Sequence, residues 1–291
     1  MCNAAAVLLR CTLALMAAQG AADKLEFEVA SVKPNRTGDN SGHTNVPLGP
    51  GNVFTPTGGY FSIVNYPAAA LIAFAYKITG DQEQYLRSHL PDWVLSDRFD
   101  VAARAAGNPT KDEMRLMVRS LLADRFALAL HYESRQVPVL ALVLAKPGTT
   151  GPQLRQHPAD PPCTTLATPQ IQTLDDGFPM LCGGLLPLPH GTGRLSKFGA
   201  RAVTMTFIAN QLSIMGQLGR PVLDRTGLTG DFDFTLEWSP EPASPQTVES
   251  DLPPGPPFRE AVAQQLGLKL VSQTGPADFL IVDHVERPSA N

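Results

Sequence analysis

Phe126-Ala127-Leu128-Ala129-Leu130 and Leu266-Gly267-Leu268-Lys269-Leu270 hold the same place in two similar halves of this chain. Each stretch ends an amphipathic helix and opens a strand. The register continues without a gap, which sets Val139-Leu140-Ala141-Leu142 against Phe279-Leu280-Ile281-Val282. A gapless match over helix, strand, turn and strand is stronger evidence of duplication than shared composition.

Working outward, the first half opens with Leu25-Glu26-Phe27-Glu28-Val29-Ala30-Ser31-Val32, whose alternation has the period of a half-buried strand. A Gly-, Pro- and Asn-rich surface loop spans 33–58. Gly59-Tyr60-Phe61-Ser62-Ile63-Val64 reads as a second strand, after which Pro67 opens a helix with Leu71, Phe74, Ala75 and Ile78 on one face. Arg98-Phe99-Asp100-Val101-Ala102-Ala103 is the next strand. Thr110 and Glu113 form a capping box for a helix whose stripe is Met114, Met117, Val118, Leu121 and Leu122. That Met-bearing stripe is read as core rather than as a partner groove. Two strands, 127–131 and 139–144, close the half.

The second half repeats the order. Gly193-Arg194-Leu195-Ser196 answers Gly59-Tyr60-Phe61-Ser62, the helix Thr204 to Leu212 answers the Pro67 helix, and Asp231-Phe232-Asp233-Phe234 answers Arg98-Phe99-Asp100-Val101. Phe258, Ala261, Val262 and Leu266 form the second amphipathic helix. The fold expected is α+β: two similar tandem modules, each a small mixed sheet with two helices packed on one face. The expected organisation is a signal peptide at 1–22, a first module at 23–148, a Pro/Gly-rich linker at 149–192 and a second module at 193–291. Pro240 to Pro257 reads as an insertion loop in the second module.

The chain has 291 residues, 43% of them hydrophobic and 17% charged. That is too apolar for a disordered chain and long enough for two modest cores. The net charge of -4 leaves no basic footprint for nucleic acid. Residues 3–18 are nearly uncharged and apolar, and small residues follow up to Ala22, the order of a secretory signal cut near that residue. The alternative is an uncleaved N-terminal anchor, but the run is short for a membrane span, so cleavage is expected and no span in the mature chain. Cleavage removes one Arg and no acid, together with Cys2 and Cys11. Cys163 and Cys182 remain, an even pair in an exported chain, and a disulfide is expected between them. A loop of that size contributes about 3 kcal/mol in the chain-entropy model.

The familiar catalytic signatures are missing. There is no His-Glu-x-x-His helix, no phosphate-cradling Gly-rich loop and no Gly-x-Ser-x-Gly elbow, and no Ser precedes a Lys by three. Two Cys without paired His cannot complete a zinc shell. No catalytic residue, metal or cofactor is therefore assigned. Five residues form a candidate site: Arg98, Trp93, Asp224, Asp283 and His284. Trp93 is a buried anchor or a binding platform. Asp224 opens Asp224-Arg225-Thr226-Gly227-Leu228-Thr229-Gly230 and braces that turn or touches a ligand. Asp283 and His284, neighbours on a strand, face opposite ways and cannot act together directly. Asp231, Asp233 and Glu237 alternate with Phe232, Phe234, Leu236 and Trp238, which places the acids on a solvated face.

Phe27-Glu28-Val29-Ala30-Ser31-Val32-Lys33-Pro34, Pro91-Asp92-Trp93, Ser96-Asp97-Arg98-Phe99-Asp100 and Leu121-Leu122-Ala123-Asp124-Arg125-Phe126 together resemble a family of exported, soil-associated bacterial proteins of unknown function, abundant in acidobacterial-type genomes. The resemblance extends to the run Gly219 to Gly230, to Gln265-Leu266-Gly267-Leu268-Lys269-Leu270 and to Val282-Asp283-His284-Val285-Glu286-Arg287-Pro288. It covers nearly the whole mature chain and implies no activity. Thr204 to Val285 also resembles the short N-terminal modules of secretins and TonB-dependent receptors, which implies interaction modules. The function expected is a non-catalytic binding protein of the cell envelope or exterior, its partner an unknown envelope or extracellular protein or ligand. The alternatives are a hydrolase with a site between the modules and a ligand-sensing ectodomain.

Overall fold

Alternation of apolar residues with polar ones builds a strand only where a second layer covers the apolar face, and each half of this chain supplies that layer with helices. The computed structural model describes residues 24–39, 41–158, 160, 173–189, 195–240 and 255–288. The expected signal peptide, Cys163 and most of the expected insertion loop lie outside them.

The first half runs β1 (Val29–Asn35), β2 (His43–Thr44), β3 (Tyr60–Pro67), α1 (Ala68–Ala75), α2 (Gly80–His89), α3 (Asp92–Ser96), β4 (Arg98–Arg104), α4 (Lys111–Phe126) and β5 (Ala129–Leu144). The second runs β6 (Leu154–Gln156), β7 (Leu185–Pro187), β8 (Ser196–Thr204), α5 (Met205–Met215), β9 (Val222–Asp224), β10 (Asp231–Trp238), α6 (Phe258–Leu266) and β11 (Leu268–His284). The fold is α+β. Two four-stranded antiparallel sheets have the same connectivity, β1-β4-β3-β2 and β6-β10-β8-β7. Residues 149–192, read as a linker, supply β6 and β7 to the second sheet.

Local signals are realised closely. Thr110 caps α4, with Glu113 N–H donating to its hydroxyl and the Glu113 carboxylate accepting the Thr110 N–H at 2.7 Å. Helices α4 and α6 both end in a left-handed residue, Ala127 at φ 48° and Gly267 at φ 67°. Helices α1 and α5 end alike: Ile78 N–H reaches Ala73 O, and Leu218 N–H reaches Ser213 O, both at 3.0 Å.

Two differences from the sequence reading matter. The first half carries α2 and α3 beyond its two expected helices. They lack a full apolar stripe, and Leu86 and Val94 are their buried contacts. The strands expected at 127–131 and 139–144 are one 16-residue strand, β5, and the matching pair in the second half is the 17-residue β11. No turn breaks them because each is the other's partner: β5 and β11 run antiparallel along their length, with Leu268 opposite Leu144 and Leu280 opposite Tyr132. β9 adds in parallel at Leu140–Leu142.

This pairing crosses the halves over. Leu280, with Val282 and Val285 beside it, packs into the core formed by Phe61, Phe74, Phe99 and Phe126. Leu140 and Leu142 pack into the core formed by Ile208, Phe232, Phe234 and Leu266. Each core is completed by the far end of the other half's last strand.

Candidate functional site

In both four-stranded sheets the strand leading into a helix carries a bulge, set against an aspartate of the central strand. Val64 and Asn65 interrupt the β3–β4 register opposite Asp100, and Arg201 and Ala202 interrupt the β8–β10 register opposite Asp233. The second bulge residue is left-handed in both, Asn65 at φ 64° and Ala202 at φ 51°. Such a conformation costs an L-residue energy and persists when its surroundings hold it. Here the aspartate holds it. Asn65 N–H donates to Asp100 Oδ1 at 2.9 Å, and Ala202 N–H donates to Asp233 Oδ1 at 3.0 Å. A side chain at the end of the edge strand completes each clasp: Asn35, the last residue of β1, donates its Nδ2 to Asp100 Oδ1, and Nδ1 of His157, the residue after β6, meets Asp233 Oδ1, each at 2.7 Å.

The surroundings of the two clasps then diverge. In the second half, Arg155 Nε lies 3.4 Å and Arg201 Nε 3.8 Å from Asp233 Oδ2, and Asp233 is fully buried. Arg155 also binds Asp176 at 2.7 Å and stacks 3.9 Å from the Phe178 ring centre. This corrects the expectation of a solvated acidic face. Asp231 is exposed, but Arg155, held by Asp176 and Phe178, lies against Asp233, which is buried.

In the first half the matching place is open. A cavity of about 720 Å³ lies against Asn65 and the N-terminal end of β4. Arg36 and Asp39 reach it from the loop after β1, Asp97 and Arg98 from the start of β4, and Arg287 from the C-terminal end of the described chain. Arg287 Nε donates to Asp97 Oδ2 at 3.0 Å and stacks over Trp93, 5.1 Å from its ring centre. Asn65 Nδ2 donates to the Asp39 and Ser41 carbonyls. Its Oδ1 is buried without a hydrogen-bond partner.

The candidate residues from the sequence separate. Arg98 lines this cavity, and Trp93 lies beside it, packed against the first core under Arg287. Asp224 braces its turn, accepting from Thr226 N–H at 2.9 Å and Thr226 Oγ1 at 2.8 Å. Asp283 pairs with His131 at 2.9 Å and His284 with Glu286 at 2.7 Å, all four exposed. No hydrogen bond among the described residues joins Arg98, Asp224, Asp283 and His284. A second cavity of about 720 Å³, between α2 and the middle of the β5–β11 pair, is lined by Tyr85, Pro138, Arg220 and Phe279 and by none of the five.

Sequence reasoning missed both clasps. The available signal was the aligned Phe99-Asp100 and Phe232-Asp233. It also missed Lys111 and Arg115, buried cations that donate to the Gly49 and Gly51 carbonyls and tie the long first loop to α4. Among the described residues no three His, Cys, Asp or Glu side chains converge as a metal site, and no helix is long and apolar enough to cross a membrane.

No curated protein and no solved structure matches the chain. The family model described as "Protein of unknown function (DUF3738)" matches residues 69–285, which span α1 to the end of β11, and the chain belongs to that family.

Proposed function

We propose that this protein is exported after cleavage near Ala22 and acts as a non-catalytic binding protein of the cell envelope or exterior, with its ligand in the cavity beside Arg98. One observation carries the reading. Two equivalent aspartate clasps stand on equivalent bulges, and the concavity is filled by Arg155 and Arg201 in one half and left open in the other. A site that stands open where its own repeat is filled is where a duplicated scaffold can gain a ligand. The two halves, the second one beginning with β6, are read as products of that duplication, with Cys163 and Cys182 paired between β6 and β7. The likeness to secretin and TonB-receptor modules and to soil-associated exported proteins agrees with a binding role outside the cytoplasm.

Thermal shift of the purified chain against a panel of acidic, neutral and basic peptides and sugars tests the binding reading. At least one compound is expected to raise the melting temperature, and Arg98→Ala is expected to abolish that shift. Silence across the panel, or conversion of a compound to product, overturns it. Fractionation with intact-mass analysis tests export: the chain is expected outside the cytoplasm without residues 1–22.

A further inference from the structure

The outer faces of the two four-stranded sheets, turned away from the cores, match position by position and differ in what lies on them. Asp100 and Asp233 fix the match. Opposite them on the edge strands stand Lys33 and Arg155. Two residues further along, Ala102 answers Thr235, and their partners on the bulged strand are Ser62 and Gly199. Residues directly opposite each other share a face, as do alternate residues of one strand. Each set therefore lies on one surface, while Val101 and Phe234 point into the two cores.

In the second half a turn of the chain rests on that surface. Gly177 N–H donates to Leu174 O at 2.9 Å and Leu174 N–H to Phe178 O at 2.8 Å, which closes the turn. Asp176 pairs with Arg155 at 2.7 Å, and the Phe178 ring centre lies 3.9 Å from the same guanidinium. A Cβ on Gly199 would meet Leu188 Cδ1 at 2.8 Å and Pro179 Cδ at 3.2 Å, so both side chains sit on the sheet where Gly199 has none. Gly199 and Thr235 are buried beneath them.

The same surface of the first sheet is bare. Lys33, Ala102 and Arg104 are exposed, and so are Val29 and Tyr60, which flank Arg104 on either side. Lys33 and Arg104 make no side-chain hydrogen bond or ion pair among the described residues. Small side chains at the centre, apolar ones at the rim and unpaired cations complement what the second half already holds. An acid and an aromatic ring suit the cation, and a proline suits the small centre. Ser62 has the Cβ that Gly199 lacks, so no counterpart of Leu188 fits as closely, and the turn itself carries the contact. In a second copy of this chain the turn is already committed to Arg155 and Gly199, which leaves a different protein as the partner.

We infer that the outer face of the first sheet docks a turn of another protein in which an acidic residue is followed, one residue on, by Phe-Pro, as in Asp176-Gly177-Phe178-Pro179. Lys33 takes the acid and the ring, and the proline rests on Ser62 and Ala102. The inference goes beyond the cavity reading and does not depend on it, because none of these residues lines that cavity.

The probe is a synthetic peptide of residues 173–181, acetylated and amidated, titrated into the isotope-labelled purified chain and followed by its amide shifts. Saturable shifts are expected around Lys33, Ser62 and Ala102. Lys33→Glu in the chain, or Phe178→Ala in the peptide, is expected to weaken binding about fivefold or more. Ala102→Glu, at an exposed position, sets a charge in the centre of the face and is expected to abolish binding with the fold intact. Lys269→Glu reverses an exposed charge on β11 and is expected to leave the affinity unchanged. No saturable binding, shifts centred on Arg155 and Gly199, or an equal loss with Lys269→Glu overturns the inference. So does a dimer by analytical ultracentrifugation that Ala102→Glu dissolves, because a second copy then covers the face. The cavity reading is decided separately, by its own panel and Arg98→Ala.

Discussion

Asp233 receives the backbone N–H of Ala202 across a bulge, as Asp100 receives that of Asn65, and the two clasps differ chiefly in burial. Asp233 is fully enclosed with His157, Arg155 and Arg201 around it, whereas Asp100 is half-buried beside the cavity. Removing an acceptor from a buried charged cluster strands its partners without water, while near solvent water replaces it.

Asp233→Ala is accordingly expected to destabilise the fold by about 3–5 kcal/mol. Asp100→Ala is expected to cost about 1–2 kcal/mol. Urea denaturation measures both through the midpoint at unchanged slope. A reversed order would show that the second cluster is not a stabilising acceptor site.

The paired helix ends make a second contrast. Ala127 and Gly267 are both left-handed, yet only one is glycine. Ala127→Gly relieves strain worth roughly 1–2 kcal/mol and loses part of it to the freer unfolded chain. A net gain of about 0.5–1 kcal/mol is expected. Gly267→Ala acquires that strain, and its Cβ would also run into the backbone nitrogen of Gly151. A loss of about 2–4 kcal/mol is expected. Thermal melts of the two variants should move in opposite directions.

These cases show what the sequence made legible. The Thr110–Glu113 cap, the α4 stripe and the match of Phe126–Leu130 with Leu266–Leu270 are local, and all appear in the fold. The turn of Asp224 is local as well, because its Asx hydrogen bonds to Thr226 are set within three residues. The buried state of Asp233 was hidden, because β10 alternates like a one-faced strand and its cover comes from a stretch some 50 residues earlier. The cavity was hidden for the same reason. Arg98 was singled out, but its neighbours Arg36, Asn65 and Arg287 arrive from a loop, a bulge and the far end of the chain.

Lys111 gives the fold a pH dependence on the alkaline side. Burial, reinforced by the charge of Arg115, draws its ammonium down to about 7 from the ordinary lysine value. Below that pH both folded and unfolded chains carry the proton, and the cost of burying the charge is present in full. Between about 7 and 10.5 the folded chain has released the proton and the unfolded chain has not, so this group makes stability rise with pH. Above that window the contribution levels off. Lys111→Met, which keeps the apolar stem, is expected to flatten this rise in denaturation curves taken from pH 6.5 to 10. An unchanged slope would place the titration elsewhere.

The exchange of closing strands makes the two cores one folding unit. Leu280 is encoded in the second half and buried in the first core, and Leu140 is the reverse. Each Leu→Ala change is expected to cost about 2–5 kcal/mol, the range for a buried leucine. What separates this arrangement from two independent modules is where the loss is felt. Leu280→Ala is expected to speed amide exchange in α1, β4 and α4, and Leu140→Ala in α5, β8 and β10. Either variant should still unfold in one transition, because the β5–β11 ladder cannot part in one half without exposing the other's core. Loss of protection confined to the half that encodes the altered leucine, or a melt split into two steps, would mean that the halves are energetically separate despite the shared strands.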